Sequence, residues 1–285
     1  SSRSSRIMAN ACTRSIDVGD RRFMRRFRVL FVAGLNLMAS APAVLAFDHI
    51  VVFGDSLSVS GNAGRVSNGP VWVEQLARRL GLPLAPSQTG GLNLAVGGAR
   101  LDPNSGPHNL RAQADLYLAM PPPKGHVLHI VFGGGNDVLA AIGTPHAGTM
   151  VDAAVASLTS IVSDLARQGA TDILLPNLPD VGITPEVRAR GDGAVAEAGS
   201  LAERFNVQVE RALRAVNGVR LHVLDVHAMA ERARADPAAL GFVDVTTPCE
   251  HLPTCDGHLF WDGVHPTTQA HERLAEQALQ VFSAQ

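Results

Sequence analysis

HIVVFGDSLS, residues His49–Ser58, is the stretch on which the fold turns. Its opening is a largely apolar, β-branched run that stops in a Gly-Asp-Ser turn, as a strand buried on both faces does. Downstream, VWVEQLARRLG (Val71–Gly81) repeats apolar residues at helical spacing before a glycine stop. Leu92–Val96 reads as a short strand, Val127–Gly133 as a stronger one, and Met150–Gly169 as a long amphipathic helix. Strand Asp172–Asn177, helix Ala194–Asn217, strand Arg220–Val226 and a last helix from Pro266 to about Phe282 continue the series. Strands alternating with helices specify an α/β fold whose parallel sheet is covered on both faces. No repeat or low-complexity linker interrupts residues 47–285, which read as one domain. Two segments, Asn62–Pro70 and Asp244–His258, are long enough to be functional loops.

Ahead of that domain, Arg21–Ala46 places a basic cluster before an apolar stretch, then small residues with Val44 and Ala46 at cleavage spacing. Asn36, Ser40 and Pro42 interrupt the apolar part, so a removable signal peptide over residues 24–46 is expected rather than a membrane anchor. Met24 is the candidate initiator, and residues 1–23 read as an over-extended start. The mature chain is then secreted or periplasmic and begins at Phe47. It keeps only Cys249 and Cys255, and two cysteines in an exported chain point to a disulfide, with two free thiols as the alternative. The formal net charge is −2 and the densest basic cluster lies before residue 30, which argues against a nucleic-acid partner.

Three clusters lie beside expected strand ends, where ligands collect in open parallel sheets. In Gly54-Asp55-Ser56 a tight turn presents the Ser56 hydroxyl, although a Gly-Asp-Ser turn is also a common helix cap. Asn93–Gly98 ends in paired glycines that allow close backbone approach, and Gly133–Asp137 offers the Asn136 carboxamide as a donor. Ser56 N–H, Gly98 N–H and Asn136 together suit an oxyanion. A serine hydroxyl needs a base, and imidazole is the side chain suited to that task near neutrality. Asp262-Gly263-Val264-His265 supplies the better pair, a carboxylate three residues before an imidazole; Asp225-Val226-His227 is its rival. The other histidines lack a comparable carboxylate partner at useful local spacing and read as surface or packing residues.

The blocks FGDSLS (Phe53–Ser58), NLAVGGA (Asn93–Ala99), GGND (Gly134–Asp137) and DGVHPT (Asp262–Thr267) stand in the order found in SGNH, or GDSL-type, hydrolases, and the chain resembles that family over nearly all of its mature length. SNGPVWVEQLA (Ser67–Ala77) and LFWDGVHPT (Leu259–Thr267) resemble its bacterial phospholipase, lecithinase and hemolysin-like branch, related to plant GDSL esterases and autotransporter esterase passengers. The resemblance implies a flavodoxin-like three-layer sandwich with about five parallel strands. It implies Ser56 as nucleophile, His265 and Asp262 as base and acid, and Ser56, Gly98 and Asn136 as oxyanion hole. Val59 departs from that branch, which often has an aspartate there.

The expected activity is hydrolysis of carboxylic esters, of lipid or other acyl type, through an acyl-enzyme and without metal or organic cofactor. No H-E-x-x-H or C-x-x-C pattern offers a ligand set. An acyltransferase using the same intermediate and a carbohydrate acetylesterase are the alternatives, and a secreted module that binds without turnover is the reading from another class. A small-molecule or lipid ester is the expected partner, with no stable membrane anchor once the signal is removed.

Overall fold

The structure is a computed structural model that describes residues 46–283. The expected extension over 1–23 and the signal peptide over 24–46 lie outside the described residues, apart from Ala46. In chain order the domain runs β1 (His49–Gly54), α1 (Trp72–Leu80), α2 (Leu110–Leu118), β2 (Val127–Phe132), α3 (Gly135–Ala141), α4 (Ala147–Arg167), β3 (Asp172–Pro176), α5 (Pro185–Ala189), α6 (Asp192–Leu213), β4 (Arg220–Leu224), α7 (Val226–Ala235) and α8 (Thr268–Ser283).

The four strands pair in parallel in the order β1-β2-β3-β4. A fifth segment flanks β1 on its other side: Val52 N–H donates to Leu92 O at 3.0 Å, Leu94 N–H to Val52 O at 2.8 Å, and Val96 N–H to Gly54 O at 3.1 Å. The expected strand at Leu92–Val96 is therefore present as an irregular segment, bridged on its other side by Pro86. Counting it second in the chain, the spatial order is 2-1-3-4-5, the flavodoxin-like arrangement, whose crossover reverses at the C-terminal end of β1. Ser56 follows that point directly. Asn93 is one reason the segment stays irregular, because its side-chain oxygen accepts from Ala95 N–H at 3.1 Å and bends the chain locally.

Strand parity assigns the two helical layers. His129 on β2 stacks edge-on to Tyr117 of α2, whereas Phe132, three residues on and hence on the opposite face, meets Trp72 of α1. Phe53 of β1 also meets Tyr117, and His222 of β4 meets Phe282 of α8. One layer thus holds α1 and α8, which pack together; the other holds α2, α4 and α6, with α4 against α6. The core is the row of fully buried Ile50, Val52, Leu128, Ile130 and Leu174 under the first layer, continued by Val51, Phe53, Val131 and Ile173 under the second.

The expected elements are recovered to within a few residues; helices α2, α3, α5 and α7 are additional to them, and two boundaries differ. Helix α2 lay unrecognised because its buried face, Leu110, Gln113, Ala114 and Tyr117, contains a glutamine and follows a turn-rich segment. Strand β4 ends at Leu224, not Val226, since the Asp225 carboxylate accepts from Ala228 N–H at 3.0 Å and starts α7. Pro266 was expected to open the last helix; it is instead held extended opposite Phe260, and α8 begins at Thr268.

Candidate active site

No helix follows the Gly-Asp-Ser turn directly. Ser58 N–H donates to Asp55 O at 3.1 Å and Leu57 N–H to the Asp55 carboxylate at 3.0 Å, closing a compact turn that carries Ser56. Three side chains brace it. Gln113 exchanges both amide bonds with Gly54, each at 2.9 Å, across 59 residues of chain. Asn93 donates to Ser58 O at 2.8 Å, and Trp72 Nε1 to Ser58 Oγ at 3.1 Å. Gly54 itself admits no larger residue, because a Cβ there would stand 2.9 Å from Phe132 O. Asn62, from the first suspected loop, donates to Asn93 O and Ala95 O at 2.7 and 2.9 Å, so that loop anchors the Leu92–Val96 segment.

Asp262 and His265 sit at the tip of a small hairpin. Trp261 N–H donates to His265 O at 2.8 Å, and Asp262 Oδ1 accepts from Val264 N–H and His265 N–H at 2.8 and 2.7 Å. This Asx-type turn explains how a spacing of three brings carboxylate and imidazole together. Asp262 Oδ2 lies 2.7 Å from His265 Nδ1, and His265 Nε2 lies 2.9 Å from Ser56 Oγ. Burial pushes the Asp262 carboxyl up, but the bonds from His265 and Val264 outweigh it and hold it below the ordinary range. It is therefore ionised wherever the imidazole can act. The neighbouring Asp55 has weaker compensation, and burial pushes it up to about 6.

Asn136 lies in the first turn of α3, and Ser56, Asn136 and His265 line one cleft of about 80 Å³. The Asn136 carboxamide donates to Ala99 O at 3.0 Å, which ties the GGND block to the NLAVGGA block. Gly98 adopts φ +74° on the turn just before Ala99; it is exposed and does not line the cleft. Asp137, to which the sequence assigned no role, accepts from Leu101 and Asp102 N–H at 2.9 and 3.0 Å and so fixes the segment after Gly98. Gln113 was likewise missed; a lone glutamine on a buried helical face was its one available signal. The rival pair does not meet a serine: Asp225 caps α7 and accepts from Asn177, and His227 N–H donates to Asn177 Oδ1 at 2.9 Å.

A family model described as GDSL-like lipase/acylhydrolase matches residues 50–278. The chain belongs to that family. Among curated relatives, a phosphatidylcholine-sterol acyltransferase of Aeromonas hydrophila is 29% identical over 337 residues, covering 90% of this chain and 97% of that protein. A thermolabile hemolysin of Vibrio parahaemolyticus is 25% identical over 283 residues, covering 82% of this chain and 63% of the hemolysin. Among solved structures, the acetylxylan esterase Axe2 of Geobacillus stearothermophilus superposes with a TM-score of 0.54 at 18% identity, over 84% of this chain and 95% of that one. GDSL relatives in both sets are ester-hydrolysing enzymes, and the chain is an enzyme acting on ester bonds.

The second suspected loop is closed on itself. Cys249 and Cys255 are joined by a disulfide with their Cα atoms 5.2 Å apart. Cys249 N–H donates to Phe260 O and Trp261 O at 3.1 and 3.0 Å, so the disulfide segment supports the segment that leads into the Asp262 turn.

Proposed function

We propose that this GDSL-family enzyme is an exported serine hydrolase that cleaves carboxylic esters through an acyl-enzyme on Ser56. The carrying observation is the continuous hydrogen-bonded line from Asp262 through His265 to Ser56 Oγ. His265 Nε2 takes the Ser56 proton as Oγ bonds to the ester carbonyl carbon, and Asp262 holds the ring in the tautomer that leaves Nε2 free to accept it. The carbonyl electron pair moves onto oxygen, where Ser56 N–H, Gly98 N–H and the Asn136 carboxamide receive it. Collapse of that intermediate expels the alcohol, which takes the proton back from His265. Water, deprotonated by the same ring, then bonds to the acyl carbon; the bond to Ser56 Oγ breaks, the acid leaves, and Oγ takes the proton back from His265.

One proton of the Asn136 amide is held by Ala99 O at 3.0 Å, which orients the group, and the second is the one offered to the incoming oxyanion. Export is supported by the leader-like sequence before Phe47 and by the Cys249–Cys255 bond, which persists in oxidising compartments. Turnover of a p-nitrophenyl ester by the wild-type chain and its loss in Ser56→Ala test this reading; an active, folded Ser56→Ala protein overturns it.

Acyl transfer is the second reading, favoured by the acyltransferase relative that aligns over 97% of its own length. It shares every step up to the acyl-enzyme and differs only in the alcohol that replaces water. Product analysis with an added sterol separates the two: a sterol ester supports transfer, and free acid alone supports hydrolysis.

A further inference from the structure

Next to the Ser56 cleft lies a second, larger chamber of about 140 Å³, walled by α7, α8 and the segment leading into the Asp262 hairpin. The two share a partition of Leu57, Pro179, Thr184 and Val264. Two of these are chain neighbours of the reacting groups: Leu57 follows Ser56 and Val264 precedes His265. An acyl group attached at Ser56 Oγ therefore starts its tail at the partition.

The chamber wall is hydrocarbon. Val226, Met229, Ala230, Phe242, Phe260 and Leu274 supply most of it. Its polar side chains are engaged elsewhere: the Asp180 carboxylate accepts from Gly182 N–H, the Thr184 hydroxyl donates to Val181 O, and the Arg273 guanidinium donates to Leu240 O and Glu276. His271 is the exception. It is 1% exposed, lines the chamber, and neither ring nitrogen has a hydrogen-bond partner. Burial keeps that ring neutral, pushing it down to about 3. An imidazole with neither nitrogen bonded to the protein is uncommon in a folded interior, and here it borders an apolar chamber beside the Ser56 cleft.

We propose that this chamber is the acyl-chain pocket of the enzyme, that it takes a chain of about six carbons, and that His271 limits its preference for hydrocarbon. The proposal rests on the serine-hydrolase reading above and names the substrate class for it: medium-chain acyl esters in preference to acetyl esters. The size follows from comparison with an engineered apolar cavity of about 150 Å³, which holds one benzene. Acetate leaves the chamber empty. Side-chain rotation of Leu57 and Val264 opens the partition to a longer tail, and each methylene that enters it gains about fourfold in kcat/KM.

The test holds the alcohol constant and varies the acid, comparing p-nitrophenyl acetate, hexanoate and dodecanoate on the wild-type chain and two variants, each checked by thermal melting. The expected hexanoate-to-acetate ratio of kcat/KM is on the order of a hundred, with dodecanoate below hexanoate. Ala230→Phe fills the chamber and should lower that ratio at least about tenfold, while His271→Leu replaces the unpartnered ring with hydrocarbon and should raise it. A ratio near one in the wild-type chain, or a ratio unmoved by Ala230→Phe in a folded protein, overturns the pocket and leaves the serine-hydrolase reading standing. Failure to hydrolyse any of the esters, together with failure of a fluorophosphonate to label Ser56, overturns the serine-hydrolase reading itself.

Discussion

Two carboxylate–imidazole clusters stand at opposite ends of one sheet, and their bond lengths are the same. Beyond the C-terminal strand ends, Asp262 is 2.7 Å from His265; at the N-terminal ends, Asp172 is 2.7 Å from both His126 and His222. The difference lies in what else each group touches. Asp172 is fully buried and also receives two bonds from Arg220, at 2.8 and 2.7 Å, so every acceptor site is occupied by a structural donor. The second nitrogen of His126 faces the Ala46 carbonyl at 2.7 Å, an oxygen with no proton to give. The second nitrogen of His265 faces a hydroxyl in a cleft. An Asp–His pair at bonding distance is therefore no sign of catalysis by itself; a nucleophile on the far nitrogen, at the strand ends where the crossover reverses, is.

That contrast is broken or sharpened by exchanging damage between the two ends. Ser56→Ala and His265→Ala should each lower kcat by about a millionfold with little change in melting temperature, whereas His227→Ala keeps most activity. A matching loss in His227→Ala would move the base to the β4 end. Asn136→Ala should lower kcat by about a hundred- to a thousandfold in a protein that melts normally, measured on the same ester.

Asp172→Asn should do the opposite. It replaces one acceptor oxygen by an NH2 that faces two of the four N–H donors at the base of the sheet, and should cost about 3 kcal/mol of folding free energy in urea titration, with the folded fraction retaining its kcat. Burial pushes the Asp172 carboxyl up, but the bonds from Arg220, His126 and His222 outweigh it and hold it well below the ordinary carboxylate range. A depressed carboxyl stabilises the fold above its unfolded pKa, near pH 4, and loses that contribution as the pH falls further. The wild-type chain should therefore lose stability below about pH 4, and Asp172→Asn should flatten that loss. The smallest effect belongs to the disulfide. Its ring spans a sequence separation of only 6, so reduction should cost about 2 kcal/mol, yet it loosens the segment behind the Asp262 hairpin and should lower turnover more than stability.

The legibility of the two ends differs for the same physical reason. Ser56, Asn136, Asp262 and His265 announce themselves because each lies in a short turn whose local residues shape it; the Asp262–His265 pair is closed within one Asx turn. The Asp172 cluster is assembled from residues 46 to 50 positions apart, and nothing near His126 or His222 in the chain signals a carboxylate. Those histidines were expected to be surface or packing residues; the structure adds that both hydrogen-bond the buried Asp172 carboxylate. Gln113 and Asp137 were missed likewise, since each acts on backbone more than 30 residues away. The strands were legible from β-branched apolar runs, while α2 and α7 were not, because their buried faces are narrow or carry a polar residue.

Activation of the Ser56 hydroxyl is common to hydrolysis and acyl transfer, and covalent labelling reads it without knowledge of the substrate. A fluorophosphonate probe on the folded chain, followed by intact mass and peptide mapping, should give one adduct on Ser56 that His265→Ala suppresses and Asp172→Asn keeps. No adduct on the folded wild-type chain, or an adduct elsewhere with Ser56 unmodified, would contradict it.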